Sequence, residues 1–366
     1  MKILWLTWKD RSHPLAGGAE SVSGEIMDRL VLDGHTVKVI TARYTDSIPR
    51  ENVNGVNIYR VGNRYSVYLK ARQLYKAELS GWADLVIDEM NTIPFGSGFY
   101  NKTRNVLLCY QLAREIWFYQ MPFPLSLVGY LIEPFMLRRL SKKYPVAITE
   151  SKSTKNDLGK YGFNNTNIFR VGMSLQPLTK LDKKPKSNIV LSLGAIRPMK
   201  RTLDAIKAFE IARDSNDELN MVIAGDKSGK YAQKVIKYAS KSRHANAINI
   251  AGRVSNTERL NLMRKADVIL VASVKEGWGL IVTEANSQGT PAIVYDTDGL
   301  RDSVQNNVTG ILVPSLNYRT MGNNINSLLA DTKKYESFRL AAWEWSKEFT
   351  FENSYKDFLK AVNIKK

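Results

Sequence analysis

Short apolar runs recur along the chain, each followed by a polar loop and then by a stretch whose apolar residues fall three and four apart. KILWLT, TVKVIT, GVNIYRV, DLVIDE, NVLLCYQ and PVAIT are such runs in the first half, which NIFRVG closes. The second half restarts with IVLSLG, NMVIAG, AINIAG, DVILVAS, PAIVYD and GILVP. Most are short and apolar without regular alternation, which is how strands of a parallel sheet covered on both faces read. Helices are predicted between them over about 20–32, 128–143, 202–213, 231–242 and 256–265, and another opens in ESKSTKNDLGKYG behind a Ser or Thr cap. Residues 175–187, LQPLTKLDKKPKS, are polar and basic with two prolines and read as a linker. The pattern therefore predicts an α/β protein of two Rossmann-like, doubly wound domains, 1–178 and 186–348. The last segment, about 333–362, is helical and aromatic. It is expected to pack across the domain junction, with a simpler alternative confined to the second domain.

Composition narrows the class. At 366 residues and 44% hydrophobic, the chain has enough apolar mass for two or three cores. Its one cysteine, Cys109, cannot form an internal disulfide, and His13, His35 and His244 are scattered without metal-ligand spacing, so no metal centre is expected. This fits a reducing cytosol, and MKILWLT reads as a strand rather than a signal peptide. The formal net charge of +18, spread over both halves, points to a polyanionic neighbour: nucleic acid, anionic lipid or a phosphorylated ligand. No nucleic-acid motif occurs, so nucleic acid is not expected. Residues 116–137 are apolar, but a spanning helix needs about 20 apolar residues. Pro122, Pro124, Glu133 and Pro134 interrupt this stretch, and Arg138, Arg139, Lys142 and Lys143 follow it. It reads as a loop and an amphipathic helix lying on a membrane surface. The alternative is a core-facing helix with a basic tail. The location expected is cytoplasmic, peripheral on the inner face of the cell membrane.

The chemistry concentrates in 275–290, KEGWGLIVTEANSQGT. Glu276 and Glu284 stand there with seven residues between them, and Gly277 and Gly279 lie in the gap. The order is strand, glycine loop, helix, and ligands of open α/β sheets bind beyond the carboxyl ends of the strands. Amides at the helix start, Leu280 and Ile281, suit an anion such as a diphosphate, and the glycines allow close approach. A second site, GAIRPMKRT, puts Arg197 and Lys200 at the end of another strand, where cations can offset the charge of a departing diphosphate. Arg201 is expected to be solvated. Gly17-Gly18 open a helix and leave amides for an anion or a sugar hydroxyl; their loop is too long for a dinucleotide fingerprint. The turn Gly252–Ser255 either holds a nucleobase or simply caps a helix through Ser255. Asp88-Glu89, Tyr110-Gln111 and Arg114-Glu115 follow strand ends and would line an acceptor side.

These residues resemble a known family. EGWGLIVTE is similar to the E-x7-E signature of retaining family 4 glycosyltransferases of the GT-B fold. The resemblance extends through GGAE, the segment 194–200, GRV, TEANSQGTP and NNVTGILVP, over about residues 1–360. It implies two Rossmann-like domains facing an interdomain cleft, with a C-terminal helix at about 349–366 crossing back to the first. It further implies that Glu276 lies against the donor sugar and Glu284 holds the ribose. Leu280, Ile281 and Lys200 would bind the diphosphate, Gly17 and Gly18 would approach phosphate and sugar, and Val254 would sit near the base. Two positions depart from the family pattern. Ala195 and Arg201 replace an arginine and a glycine, with Arg197 expected to supply the missing charge, and Tyr110-Gln111 stand where a histidine is common.

The expected function is retaining, metal-independent transfer of a hexosyl group from a nucleoside-diphosphate sugar to a lipid-linked or polysaccharide glycan. Glu276, Lys200 and Arg197 carry the chemistry; Gly17, Gly18, Val254, Gly279, Leu280, Ile281 and Glu284 bind substrate. No cofactor beyond the donor is expected. An epimerase or phosphorylase on the same fold, or a non-catalytic nucleotide-sugar-binding protein, are the alternatives.

Overall fold

The apolar runs form two separate sheets in the computed structural model, which describes residues 1–364. The first unit comprises Met1–Gly172 and the segment from Thr350 onward. Its strands are β1 (Lys2–Leu6), β2 (Thr36–Thr41), β3 (Arg50–Val53), β4 (Val56–Arg60), β5 (Leu85–Met90), β6 (Arg104–Cys109), β7 (Val146–Thr149) and β8 (Thr166–Ile168). They lie in the order β3-β4-β2-β1-β5-β6-β7-β8, and all neighbours are parallel except β3 and β4. All six residues of β5 are buried, as expected of a strand with helices on both faces. The edge strand β3, RENV, is not anticipated by the apolar pattern because its side chains are exposed or half-buried. It pairs antiparallel with β4 through Asn54-Gly55, both at positive φ, the geometry a two-residue hairpin requires.

The second unit, Met173–Phe349, holds β9 (Ile189–Leu193), β10 (Asn220–Ala224), β11 (Ile248–Gly252), β12 (Val268–Val271), β13 (Ala292–Tyr295) and β14 (Gly310–Val313). Their order is β11-β10-β9-β12-β13-β14, all parallel. The strand order reverses between β9 and β12, so the loops leaving these two strands diverge and open a crevice at their carboxyl ends. The stretch expected to be a linker is instead packed onto this unit. Leu178 N–H donates to the Ser287 carbonyl at 3.0 Å, and Lys186 Nζ reaches the Leu329 carbonyl at 2.9 Å. Lys184 Nζ donates to the Ala266 carbonyl. Lysines lay their stems along a surface and bring the ammonium to carbonyls left open at helix ends, which a composition-based linker reading does not register.

The aromatic C-terminal segment divides. Thr332–Ser346 stays with the second unit, where the buried Arg339 donates to the Gly289 carbonyl at 3.1 Å. A break follows, and Phe351–Ala361 returns to the first unit, capped by Thr350. There Phe358 stacks on Trp5 with ring centroids 5.8 Å apart, and Arg170 pairs with Asp357 at 2.6 Å. The crossing helix expected over about 349–366 is thus shorter at its start, and residues 365–366 lie outside the described residues.

At the heart of the first unit β1 and β5 are neighbours although not consecutive, so this sheet has a reversal as well. Glu89, at the end of β5, fills it. Its carboxylate accepts from Trp5 Nε1 at 2.8 Å, Ser23 Oγ at 2.8 Å and Thr7 Oγ1 at 3.0 Å. Burial, reinforced by nearby Glu20, pushes this carboxyl up to about 7, although the three donors pull it down. The folded value lies above the ordinary 4.5, so the group's contribution to stability is full below pH 4.5 and is lost as pH rises through about 7. Unfolding free energy should therefore fall by about 3 kcal/mol through this group across that window. Glu89→Gln should flatten that slope in urea denaturations run across the same pH range. Parallel slopes in the two proteins would show that Glu89 is not the source.

Candidate functional site

The crevice of the second sheet is built from the loops after β9 and β12. Beyond β9 the chain turns through Gly194, makes a single 3₁₀ turn over Pro198–Lys200, and enters the helix Thr202–Ser215 through Arg201 at φ +49°. Beyond β12 it runs through Ser273 to Glu276. The two loops are clamped by Val274 N–H donating to the Met199 carbonyl at 2.9 Å. Across this clamp the Lys200 ammonium meets the Glu276 carboxylate in a close charge-assisted hydrogen bond, and Ser273 Oγ donates to the same Oε1 at 2.6 Å. Both side chains keep contact with solvent, 31% exposed for Lys200 and 14% for Glu276. Lys200, Ser273, Gly194, Ala195 and Ile281 line one small recess at the strand ends.

The Glu276 backbone is braced by a third loop. Its N–H donates to the Asp298 carbonyl at 3.0 Å, and buried Lys275 pairs with the Asp298 carboxylate at 2.9 Å. Gly279 then takes φ +94°, a backbone conformation strained for a residue with a side chain, and Leu300 Cδ2 stands 2.8 Å from where a Cβ would lie and would have to shift. This turn starts the helix Leu280–Ser287. The leading N–H groups of a helix have no carbonyl within it to donate to, and its dipole is positive there. Glu284 lies on the inner side of this helix, 5% exposed. It accepts from Ser174 Oγ and Arg259 Nη1, each at 3.2 Å. Burial pushes its carboxyl up, while Arg259 and Ser174 hold it down. Arg259 and Ser174 are not foreseen from the sequence. Arg259 sits one turn into Asn256–Lys265, and only the packing of that helix beside Leu280–Ser287 brings it to Glu284.

Of the expected site residues, Lys200, Glu276, Gly279, Leu280, Ile281 and Glu284 cluster about the two strand ends. Arg197 is exposed, at the start of the same 3₁₀ turn as Lys200. Val254 is half-buried in the turn after β11. That strand is two from β9, about 10 Å away, so Val254 stands apart from the Lys200–Glu276 pair. Ser255 caps the following helix by accepting from Glu258 N–H. Arg201 is half-buried and keeps contact with solvent while pairing with Asp204 at 2.7 Å. In the first unit Gly17 and Gly18 open the helix Gly18–Leu32, and the Gly17 N–H donates to Glu20 Oε2 at 2.7 Å. Asp88 and Glu89 are interior groups: Asp88 accepts from Phe95 N–H at 2.8 Å and Ser97 N–H at 2.9 Å. Tyr110 is buried with its hydroxyl 2.6 Å from Ser23 Oγ.

Residues 178–345 match the protein family described as Glycosyl transferases group 1, which is nearly all of the second unit. The D-inositol 3-phosphate glycosyltransferase of Jonesia denitrificans is 28% identical over 183 residues, covering 48% of this chain and 42% of that protein. The chain thus spans less than half the length of the first curated relatives it matches. A glycosyltransferase of Methanocaldococcus jannaschii described as uncharacterized is 25% identical over 367 residues, 90% of each chain. Among solved structures, Anabaena Alr3699/HepE, crystallised with UDP and glucose, superposes with a TM-score of 0.74 at 16% identity over 99% of both chains.

The Asp298-Gly299 turn is held tightly against the Glu276 loop. Gly299 has φ +79°, and a Cβ there would lie 2.3 Å from the Glu276 carbonyl oxygen. Gly34 has a similar φ of +84° with nothing within 4 Å. Gly34→Ala should cost about 1 kcal/mol from backbone strain alone. Gly299→Ala should cost at least about 2 kcal/mol more, because backbone on both sides must move. Equal losses in chemical denaturation would mean that the turn does not brace the Glu276 loop.

Proposed function

We propose that this chain, whose two units carry the GT-B fold and whose second unit is a group 1 glycosyl transferase domain, is a retaining, metal-independent hexosyltransferase. Its donor is a nucleoside-diphosphate sugar and its acceptor a glycan hydroxyl, on a lipid-linked or polysaccharide chain. The observation that carries this reading is the Lys200–Glu276 contact at the strand reversal, beside the first turn of Leu280–Ser287. The donor type is further supported by the solved likeness that holds UDP and glucose.

A diphosphate seated in the recess meets the Lys200 ammonium and the amides of Leu280 and Ile281, with Arg197 as a second cation at the rim. Their combined positive field is strongest where charge develops on the departing phosphate oxygen, which is the condition for lowering the barrier rather than merely binding. These fixed charges do the work for which other transferases use a metal ion. Glu276, held by Lys200 and Ser273, faces the sugar, orients its hydroxyls and stabilises positive charge at the anomeric carbon. The acceptor oxygen bonds to that carbon on the face from which the diphosphate leaves. The anomeric carbon–phosphate oxygen bond breaks as this bond forms, and the acceptor proton passes to the departing oxygen. The configuration is retained. Glu284 takes the ribose, a hydroxyl donor replacing Ser174 at Oε1, while Arg259 holds the carboxylate in place. Val254, further along the strand ends, lies toward the base.

Lys200→Ala and Glu276→Ala should each lower transfer about 10²- to 10³-fold, the range seen for lost transition-state electrostatics. Neither should shift the melting temperature by more than a few degrees, since both side chains are partly in solvent. A donor screened at about 100 times its Kd should add about 2.7 kcal/mol of stability, and this gain should shrink in Lys200→Ala. Turnover close to that of the parent in both variants would remove the assignment.

A further inference from the structure

The helix Leu125–Ser141 in the first unit is built inside out. Its buried positions are Ser126, Glu133, Leu137 and Leu140. The outward stripe is Val128, Leu131, Ile132 and Phe135, at the three- and four-residue spacing of one helix face. Ile132 is 56% exposed and Phe135 69%. Leu125, Leu127 and, in the preceding turn, Phe118 and Phe123 extend the apolar surface. A helix that only needed to pack on a core would turn this face inward.

What holds it this way is polar. The buried Glu133 carboxylate accepts from Ala113 N–H at 2.9 Å, Arg114 N–H at 2.7 Å and Trp117 Nε1 at 3.0 Å. Pro134 has no N–H to give the Tyr130 carbonyl, and Arg114 Nη1 donates to that carbonyl instead at 3.0 Å. The helix is therefore anchored by directed bonds that fix which face points out. Along the outward face the apolar stripe gives way to exposed Arg138, Arg139 and Lys142, and no acidic residue lies between Glu133 and Glu150. Among the described residues no helix is long and apolar enough to cross a membrane. This one is about 25 Å long, short of a span but sufficient to lie flat.

We infer that this helix is a docking face for an anionic lipid bilayer. It lies in the plane of the interface, with Val128, Leu131, Ile132 and Phe135 at the acyl boundary and Arg138, Arg139 and Lys142 on headgroup phosphates. A cationic end beside an apolar stripe is complementary to anionic lipid, where both contributions add, and the +18 net charge of the chain steers it there. The inference stands independently of sugar transfer, since the helix needs neither donor nor acceptor to bind.

The test is co-sedimentation of the full chain with phosphatidylcholine vesicles containing about one-third phosphatidylglycerol, against pure phosphatidylcholine, at low and high salt. Binding to the anionic vesicles at low salt is expected. Leu131→Ser/Phe135→Ser should weaken it at least about tenfold, from two lost apolar anchors. Arg138→Gln/Arg139→Gln should weaken it about thirtyfold on anionic vesicles only. All four side chains are exposed, so melting temperatures should be unchanged, and an unchanged value certifies each variant as folded. Absence of sedimentation at low salt overturns the inference. So does binding that ignores the apolar pair, which would be the net charge acting alone. A self-associating chain that Leu131→Ser/Phe135→Ser makes monomeric, without lipid binding, would overturn it in favour of a second copy as the occupant.

Discussion

Two parallel strands that are neighbours in space but not in sequence must each send the chain off to cross over, and right-handed crossovers send it to opposite faces. The gap that results between β9 and β12 is the constraint on which the second unit turns. Nothing in the sheet fills it, so loops do. The loop after β9 brings a cation, the loop after β12 brings a carboxylate, and the loop after β13 braces the second of these from behind. The glycines follow from that crowding. Gly279 and Gly299 hold positive φ where a side chain would strike Leu300 or the Glu276 backbone. The meeting of cation and carboxylate here is thus a consequence of strand order first and of side-chain identity second.

The first unit meets the same topological problem and solves it differently. Its reversal lies between β1 and β5, and there Glu89 enters the gap as an interior group. Trp5, Thr7 and Ser23 donate to it from β1, from the loop beyond it and from the helix that follows, and Asn91 adds a longer bond at 3.3 Å. A buried carboxyl held by these donors joins those elements, but its elevated pKa makes the joint sensitive to pH. In the second unit the corresponding position holds a charge pair that is still partly exposed to water. An interior group tied to the protein on all sides organises a fold; a half-exposed pair can exchange partners. That difference, not the presence of carboxylates as such, separates the two crevices.

How much of this is legible in the sequence depends on the range of the interaction. Thirteen of the fourteen strands are readable because each carries a short apolar run, most plainly where a strand such as β5 or β12 is buried on both faces and is marked by its own composition. β3 escapes, since RENV faces solvent and is defined by its partner, although the Asn54-Gly55 turn next to it is a hairpin signal. The helix Asn256–Lys265 is found to the residue, because Ser255 and Glu258 form a local capping box. Lys200 and Glu276 are both nameable from their strand–loop–helix settings, but that they touch depends on β9 lying beside β12. Arg259 is beyond reach for the same reason: its role comes from a helix-to-helix contact that no spacing within GRVSNTERL encodes. The linker reading of 175–187 fails in the opposite sense, because lysine and proline content describes solubility and not where the lysine stems lie.

The helix Leu125–Ser141 shows what a local rule broken by the fold conveys. Apolar residues at helical spacing are ordinarily evidence for a buried face, and here the spacing is right while the direction is wrong. Packing alone could not produce that arrangement, because hydrophobic burial is non-directional and would rotate the helix inward. The Glu133 carboxylate and the Tyr130 carbonyl freed by Pro134 prevent the rotation, since their partners on Ala113, Arg114 and Trp117 can be reached from one orientation only. Turning the helix would bury the apolar stripe but strand a carboxylate among groups that cannot satisfy it, and an unpaired buried charge outweighs the transfer of a few apolar side chains. The same residues that argue against a membrane span in the sequence, Glu133 and Pro134, are therefore the ones that hold an apolar face toward the outside.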